Sequence, residues 1–461
     1  MSFVSMAEKA IEYAQEKGAE YVDVRVEEAL TTSIRIRRGE VEAAQSRRIR
    51  GIGVRVMIRG SWGFSSTSRV NWQEMLKAID NALKLAKSSI EVRRRKVYLA
   101  ESKAYEDKVR AKVKEDPATI PLEEKLKLAL EVDKVMREYS DRVKEDEVIY
   151  GDSKYLKIFV NSEGSRINVE GCRVFCRAYV VAREANVVSP AVEVVAGSKG
   201  YELFKEIDPV EKAKEAAARA VRLLEAEVPR GGLVTAVLDN EILGLIVHEA
   251  FGHVAEADLV MTGTILTNKI GQRVASELVT IVDGPGPEGA FGWTPYDDEG
   301  VKCRKVVIIE KGVLKGYMHS RETAYLMGSE PTGNARAQDY AHPPLVRMRN
   351  TYMEAGDWDP EEIIRDTKEG FYLKGGIGGQ ADTNGEFMFS VQEAWEIKNG
   401  ELVKPYRAVT VSGNAIDVLK SVDAVGKDLK VVSPGMCGKF QLVPVDGGGP
   451  HIRCKLILGG R

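Results

Sequence analysis

Leu243-Gly-Leu-Ile-Val-His248-Glu249-Ala-Phe-Gly-His253-Val-Ala-Glu256-Ala-Asp258 is the stretch from which the rest of the chain is read. It carries two of the five histidines in 461 residues, with a glutamate directly after the first. Neutral imidazole is a common zinc ligand, and a carboxylate beside the metal can take the proton of an activated water. In the familiar zinc-protease pattern the two histidines stand four apart on one helix face. Here they stand five apart, and on a regular helix such positions point roughly 140° apart. Both rings reach one ion only where the turn is widened, as in a π-bulge, or where the helix ends. The helix around 247–254 is therefore expected to be irregular, and Gly252 lowers the cost of distorting it. The plainer reading is a buried amphipathic helix, since Ile242, Leu243, Leu245, Ile246, Val247, Phe251 and Val254 describe a core face. The two readings do not compete, because a rigid core helix is the better platform for a site.

Around this stretch, a chain of 461 residues exceeds one ordinary core and predicts more than one domain. Hydrophobic content of 44% and charged content of 30% are those of a soluble globular protein. A net charge of −2 gives no global field favouring nucleic acid or membrane. No apolar run approaches the ~20 residues of a transmembrane helix. The start, Met1-Ser-Phe-Val-Ser-Met-Ala-Glu-Lys9, lacks a basic flank before an apolar core and does not read as a signal peptide. Five cysteines fit a reducing interior better than a disulfide framework, so the expected location is cytoplasmic.

The N-terminal half reads as α/β. A helix over 5–17 stops at Gly18, and strands over 21–28, 32–37, 41–46 and 51–58 follow by period-two alternation. Turns fall at Arg38-Gly39 and Arg59-Gly60-Ser61, and Asn71 caps a helix ending near Lys87. The charged stretch 88–121, with Arg93-Arg94-Arg95-Lys96, reads as a solvated linker, because no aromatic or glycine pattern accompanies it. A helix covers 122–139. The order over 33–87, paired strands and then a helix, echoes faintly over 155–224 and reads as an internal duplication. There, strands over 156–161 and 165–181 flank Ser162-Glu163-Gly164, and a helix covers 209–227. Cys172 and Cys176, four apart on one strand face, read as small apolar fillers.

Pro229-Arg230-Gly231-Gly232 marks a boundary, giving expected domains 1–228 and 229–461. Beyond it lie a strand over 233–238, a cap at Asp239 or Asn240, the motif helix, and then β character. Hairpins are expected over 301–309 and 313–318, and over 387–397 and 401–408, where Asn399-Gly400 is a strong turn signal. Strands are also expected over 345–353 and 451–458. The fold class is α+β: an N-terminal α/β region followed by a mainly β C-terminal domain that carries the motif helix. A catalytic zinc usually has three protein ligands and a water, and two candidates for the third stand open. Glu256 lies three after His253, and Cys437 sits in the tight segment Val432-Ser-Pro-Gly-Met-Cys-Gly-Lys-Phe440. Cys454 reads as core, and His319, His342 and His451 as surface or hydrogen-bonded residues. Gly375-Gly-Ile-Gly-Gly379 and Gly447-Gly-Gly-Pro450 lack a phosphate-loop context and read as turns or close-approach segments.

His248-Glu-Ala-Phe-Gly-His-Val-Ala-Glu-Ala-Asp258 resembles the His-Glu-x-x-x-His segment of the TldD/PmbA metallopeptidases, specifically the TldD branch. Tyr296-Asp-Asp-Glu-Gly300, Met327-Gly-Ser-Glu-Pro-Thr-Gly-Asn334, Arg347-Met-Arg-Asn-Thr-Tyr-Met353 and Pro434-Gly-Met-Cys-Gly-Lys439 match in the same order. The resemblance implies a zinc peptidase whose metal ligands are His248, His253 and Cys437 and whose catalytic residue is Glu249. It implies substrates that are small or unfolded polypeptides. It also implies a dimer, often formed in this family by a zinc-bearing chain and a zinc-less, PmbA-like relative. Family members have been described as modulating DNA gyrase, but the near-zero net charge gives no support for direct nucleic-acid binding. One departure, at 446–450, bears on substrate specificity. The expectation is a zinc-dependent peptidase with Glu249 as general base and acid; the alternative is a peptide-binding or regulatory subunit with a structural metal.

Overall fold

Two long antiparallel hairpins build the N-terminal half. Tyr21–Arg37 and Glu40–Ile58 turn back on each other through Arg38-Gly39, where φ is 53° and 79°. Val143–Asn161 and Arg166–Glu184 form the second hairpin. Their first strands pair antiparallel from Asp23↔Asn161 to Arg37↔Glu147, fusing both into one sheet. Ser61–Thr67, Val187–Gly197 and Glu106–Arg110 complete its seven strands. Helices Phe3–Glu16 and Trp72–Ser88 bracket the first three-stranded unit, and Leu122–Arg137 and Pro209–Arg222 bracket the second. The echo read from the sequence is thus a repeated order of helix, three strands, helix. The computed structural model describes residues 2–460; Met1 and Arg461, the outer ends of the two expected domains, lie outside the described residues.

Side chains alternate across a strand, so each face of this sheet has its own duty. Val22, Val24, Val26, Ile34 and Ile36, with Val174, Cys176 and Ala178, lie under the helices in two apolar clusters. The intervening positions face the C-terminal half. Arg55 Nη1 lies 3.1 Å from Glu299, and Arg173 Nε donates to Phe291 O at 3.3 Å. The N-terminal sheet therefore forms one wall of whatever the C-terminal half encloses.

At the first hairpin tip, buried Asp146 and Asp133 accept the backbone N–H groups of Arg38 and Gly39 at 3.0 and 3.1 Å. Burial, then the hydrogen bond and charge of Asp133, push Asp146 from 3.8 up to about 7. A raised folded-state value means that the native state holds this proton more tightly. The stabilisation is full below pH 3.8 and is lost as pH rises through 7. Asp146→Asn gives the pair a permanent N–H donor. It is expected to raise Tm at pH 8 by about 2–4 °C, the scale of 1 kcal/mol in a domain of this size, and to change little at pH 5. Equal destabilisation at both pH values, in thermal melts, would refute the shared proton.

The C-terminal half is mainly β. Gly232–Leu238, Ile452–Gly459, Val409–Asn414, Glu386–Lys398 and Glu369–Ala381 pair in turn, and the last also pairs with the first, closing a ring. A second sheet includes Ile281–Gly284, Asn350–Met353 and Leu442–Gly449. The motif helix lies between ring and sheet within the largest apolar cluster. The Asn399-Gly400 turn forms as expected, with both φ values positive at 51° and 81°.

Several elements differ from expectation. Residues 21–37 make one strand, because Ala29 to Thr31 pair on both sides and need no turn. The stretch 88–121 is not all linker: Glu106–Arg110 pairs parallel to Arg166–Glu184. Val187–Gly197 was unanticipated, and its Pro190 is compatible with a strand that, among the described residues, pairs on one side only. The expected strand over 345–353 breaks into Leu345–Val346 and Asn350–Met353, because Arg347, Met348 and Arg349 turn inwards. The expected strand over 301–309 begins only at Val306. Both glycine segments lie in strands, not turns, 375–379 with a bulge between Gly376 and Gly378, and their close-approach reading holds, since a Cβ at Gly379 or Gly448 would meet Met388 O at 2.2 Å or Lys430 O at 2.0 Å. Among the described residues no helix is long and apolar enough to cross a membrane.

Candidate metal centre

Asp239 starts the motif helix: its Oδ1 accepts from Glu241 N and Ile242 N at 3.1 and 3.0 Å. Asn240–Ile246 is α-helical, and the helix then widens into a π turn over Val247–Gly252. His253 N–H donates to His248 O, five residues back, in place of the usual four. This is the distortion that the spacing demands. It brings the two rings to 5.4 Å between centroids, with planes 84° apart. Ile242, Leu243, Ile246, Val247, Phe251 and Val254 are all but fully buried, each worth roughly 1.5–3 kcal/mol, and together they hold the irregular turn. Gly252 serves packing: a Cβ there would lie 1.9 Å from Met348 Sδ. Gly244 likewise lets the helix press onto the strand behind it, where a Cβ would meet Gly448 N at 2.7 Å. Residues 446–449 thus back the helix, and of that strand only Val445 lines the cleft described below.

Cys437 arrives from the short strand Gly435–Gly438, paired to Leu442–Gly449 with Cys437 opposite Val443. Its Sγ lies 3.2 Å from His253 Nε2, and one donor atom each of His248, His253 and Cys437 lies within 4.8 Å of the others. Tetrahedral zinc sites with ordinary Zn–N and Zn–S bonds separate their donors by about 3.3–3.6 Å, so this set fits such an ion with small rotations. Burial pushes the Cys437 thiol up, but hydrogen bonds to His248 and His253 outweigh it and bring the group down to about 5. Burial pushes His253 down, and its bonds to Cys437 and Glu256 raise it to about 10. The two groups thus favour a thiolate beside a protonated imidazole, and a metal taking His253 Nε2 would displace that proton.

Glu256, the other candidate ligand, faces away from the donor cluster. Its Oε2 lies 3.2 Å from His253 Nδ1, which leaves Nε2 for the shared site. Lys439 Nζ donates to the same Oε2 at 2.9 Å and to both Asp258 oxygens. Buried Arg347 donates to Cys437 O at 2.6 Å and to Gln441 O at 2.8 Å, clamping the cysteine segment. Such outer partners orient ligands and raise their basicity.

Glu249 is 29% exposed, with Oε2 at 3.7 Å from His253 Nε2, on the wall of a cleft of about 240 Å³. The walls are the motif helix, residues 376–378, residues 432–437, and Arg177, Val192 and Val194 of the N-terminal sheet. Glu241, seven before His248 and also lining the cleft, is pushed up to about 7 by burial and by the charges of Asp239 and Glu193. The other histidines are hydrogen-bonded as expected: His319 beside Thr323, His342 to Asp339, His451 to Asp428. Cys303 donates to Gly333 O, and Cys454 lies in the core. The sequence reading missed the roles of Arg347 and Lys439, although both lie in segments it had singled out. A charge that must be buried needs a partner, and that was the available signal. Nothing in the sequence links the strand around 192–194 to the cleft.

Residues 231–458 match the PmbA/TldA metallopeptidase C-terminal domain, 22–86 match domain 1, and 115–224 match the central domain. A metalloprotease of Methanocaldococcus jannaschii is 41% identical over 437 residues, 94% of this chain and 96% of its own. A zinc metalloprotease TldD homolog of Saccharolobus solfataricus is 33% identical over 459 residues, 98% of this chain and 99% of its own. The solved TldE of Thermococcus kodakarensis superposes with a TM-score of 0.81, covering 99% of this chain and 100% of its own. At 20% identity that likeness is one of fold alone. With its three domains matched in order and full-length relatives at this identity, the chain belongs to the TldD branch of the PmbA/TldD metallopeptidases.

Proposed function

We propose that the chain is a zinc-dependent peptidase acting on small or unfolded polypeptides, with His248, His253 and Cys437 as metal ligands and Glu249 as general base and acid. The observation that carries this reading is the convergence of the three donors beside a cleft lined by His248, Cys437 and Glu249. Zinc held there would supply Lewis acidity, polarising the scissile carbonyl and acidifying the attacking water. Glu249 would accept the water's proton and deliver it to the departing amine. Glu256 would fix the His253 tautomer.

Shape supports the substrate class. The cleft is too small for a folded domain, and the strand Gly435–Gly438 on its wall pairs, among the described residues, on one side only. An extended chain laid along such an edge gains backbone hydrogen bonds largely independent of its side chains. A stable folded domain is therefore expected to resist cleavage, while a destabilised, unfolded variant of it is cut. Cleavage is expected to cease on chelation and return with zinc. Equal rates on the folded and unfolded substrates would overturn the substrate reading. The family resemblance further supports a dimer, of two such chains or of one with a zinc-less relative.

A further inference from the structure

One stripe of the motif helix forms a side of the cleft. Glu241, Gly244, Leu245, His248 and Glu249 all line it, and residues three, four, seven and eight apart share a helix face. His248 and Glu249 stand at one end of the stripe, with the donor cluster, and Glu241 stands at the other. Seven residues make about two turns, so the ends lie about 10 Å apart along the axis. About three residues of extended chain span that distance, or fewer where a long side chain covers the remainder.

The charges along the cleft are unevenly matched. Besides the donors, its charged side chains are Arg177, Glu193, Glu241 and Glu249. Arg177 Nη1 lies 3.3 Å from Glu147 Oε1, and Arg219 Nη2 lies 2.8 Å from Glu193 Oε1. Glu241, half-buried, has no hydrogen bond and no ion pair among the described residues. The cations whose charge acts on it are Arg219 and Lys374. Arg219 is bonded to Glu193 and Gln392, and Lys374 is exposed. Desolvating a carboxylate without a partner is unfavourable, and a cation brought by a ligand would offset it. Burial pushes the Glu241 carboxyl up to about 7, and such a cation would draw it down again. Leu245, Val192 and Ile377 line the same cleft and offer apolar surface to a methylene stem.

We propose that Glu241 is a specificity-determining residue that takes a cationic group of the polypeptide substrate, a lysine or arginine head or a free α-amine, about 10 Å from the bond that is cut. The inference rests on the peptidase reading for the bond, and on the cleft alone for the cation. An acid in the first turn of a helix also suits the helix dipole, but that role makes no distinction between substrates.

The test uses the full-length, zinc-loaded protein and N-acetylated, unstructured peptides of Gly, Ser and Ala with one Lys, or with Gln in its place. Wild type is expected to cleave the Lys peptide with a kcat/KM about 10–100-fold above that of the Gln peptide, the effect of a hydrogen bond between charged groups. The cuts, mapped by mass spectrometry, should fall within about three residues of Lys. In Glu241→Gln the ratio should fall towards one. Glu241→Lys should favour a peptide with Glu at that place, an inversion that a misfolded chain cannot give. Removing the acetyl group from the Gln peptide separates the sources: a gain that depends on Glu241 assigns the α-amine, and no gain assigns the side chain. Fluorescence anisotropy of the same peptides, dye-labelled at the C-terminus, on Glu249→Gln reads the preference without turnover. Charge-dependent binding without cleavage by wild type would keep the cation site and sink the peptidase reading. Equal cleavage of all the peptides, with ratios unchanged in the Glu241 variants, would overturn the cation site and leave the peptidase reading standing. Neither cleavage nor charge-dependent binding would overturn both.

Discussion

Glu249→Gln is expected to leave zinc content unchanged and to slow peptide cleavage by about 10²–10⁴-fold, the usual worth of a positioned general base. The amide keeps the shape of the carboxylate, and the three donor atoms belong to other residues. What the amide loses is the capacity to accept a proton. The carboxylate stands beside the donor cluster, 3.7 Å from His253 Nε2, with its side chain 29% exposed towards the cleft. It is thus close enough to serve an attacking water and open enough to hand the proton on. Metal analysis together with a peptide-cleavage assay on both proteins reads the two halves of the expectation separately. A Gln variant that cleaves at the wild-type rate would remove Glu249 from the chemistry. A wild-type protein that binds zinc and cleaves no peptide would instead favour the subunit with a structural metal.

Cys437→Ser is expected to reduce zinc affinity by at least ~100-fold, the upper end of losses from outer-shell changes, and to abolish cleavage. Serine keeps the size but offers a neutral hydroxyl where the site favours a thiolate, since hydrogen bonds to the two histidines bring the Cys437 thiol down to about 5 against its burial. Cys303→Ser and Cys454→Ser are expected to do neither. Both thiols are pushed up to about 12 by burial, Cys303 is bonded to Gly333 O, and Cys454 packs in the core. Alkylation mapped by mass spectrometry gives an independent readout: zinc should protect Cys437, and chelation should expose it. If the serine variant keeps full zinc and activity, the ligand set is wrong. Glu256 could replace the thiolate only by leaving His253 Nδ1 and Lys439, so its present bonds argue against that substitution.

The sequence made some of this legible for reasons that are local. Two histidines five apart cannot share an ion on a regular helix, and the π turn over Val247–Gly252 answers that constraint. The Asn399-Gly400 turn and a cap at Asp239 or Asn240 were readable because a few neighbouring residues dictate each, and it is Asp239 that makes the cap. What could not be read depends on distant partners. Glu106–Arg110 is a strand because Arg166–Glu184 accepts it in parallel some sixty residues away. Arg347 and Arg349 break an apolar alternation because Cys437 O and Asp283 await them. Glu256 fitted two roles by spacing, and only the direction of a ring nitrogen separates them.

The π turn has one more consequence. The widened turn absorbs one extra residue, and the helix then closes through a 3-10 turn over His253–Ala255 and ends at Glu256, where ψ is 118°. Glu241 and Leu245 ahead of the widening and His248 within it open onto the cleft together, while Phe251 within it and Val254 after it point into the core. In the language of insertions, His-Glu-x-x-x-His on a helix with one π turn and His-Glu-x-x-His on a regular helix are two spellings of one arrangement of rings. The added residue lengthens the motif without turning Asn240–Ile246 away from the strand behind it.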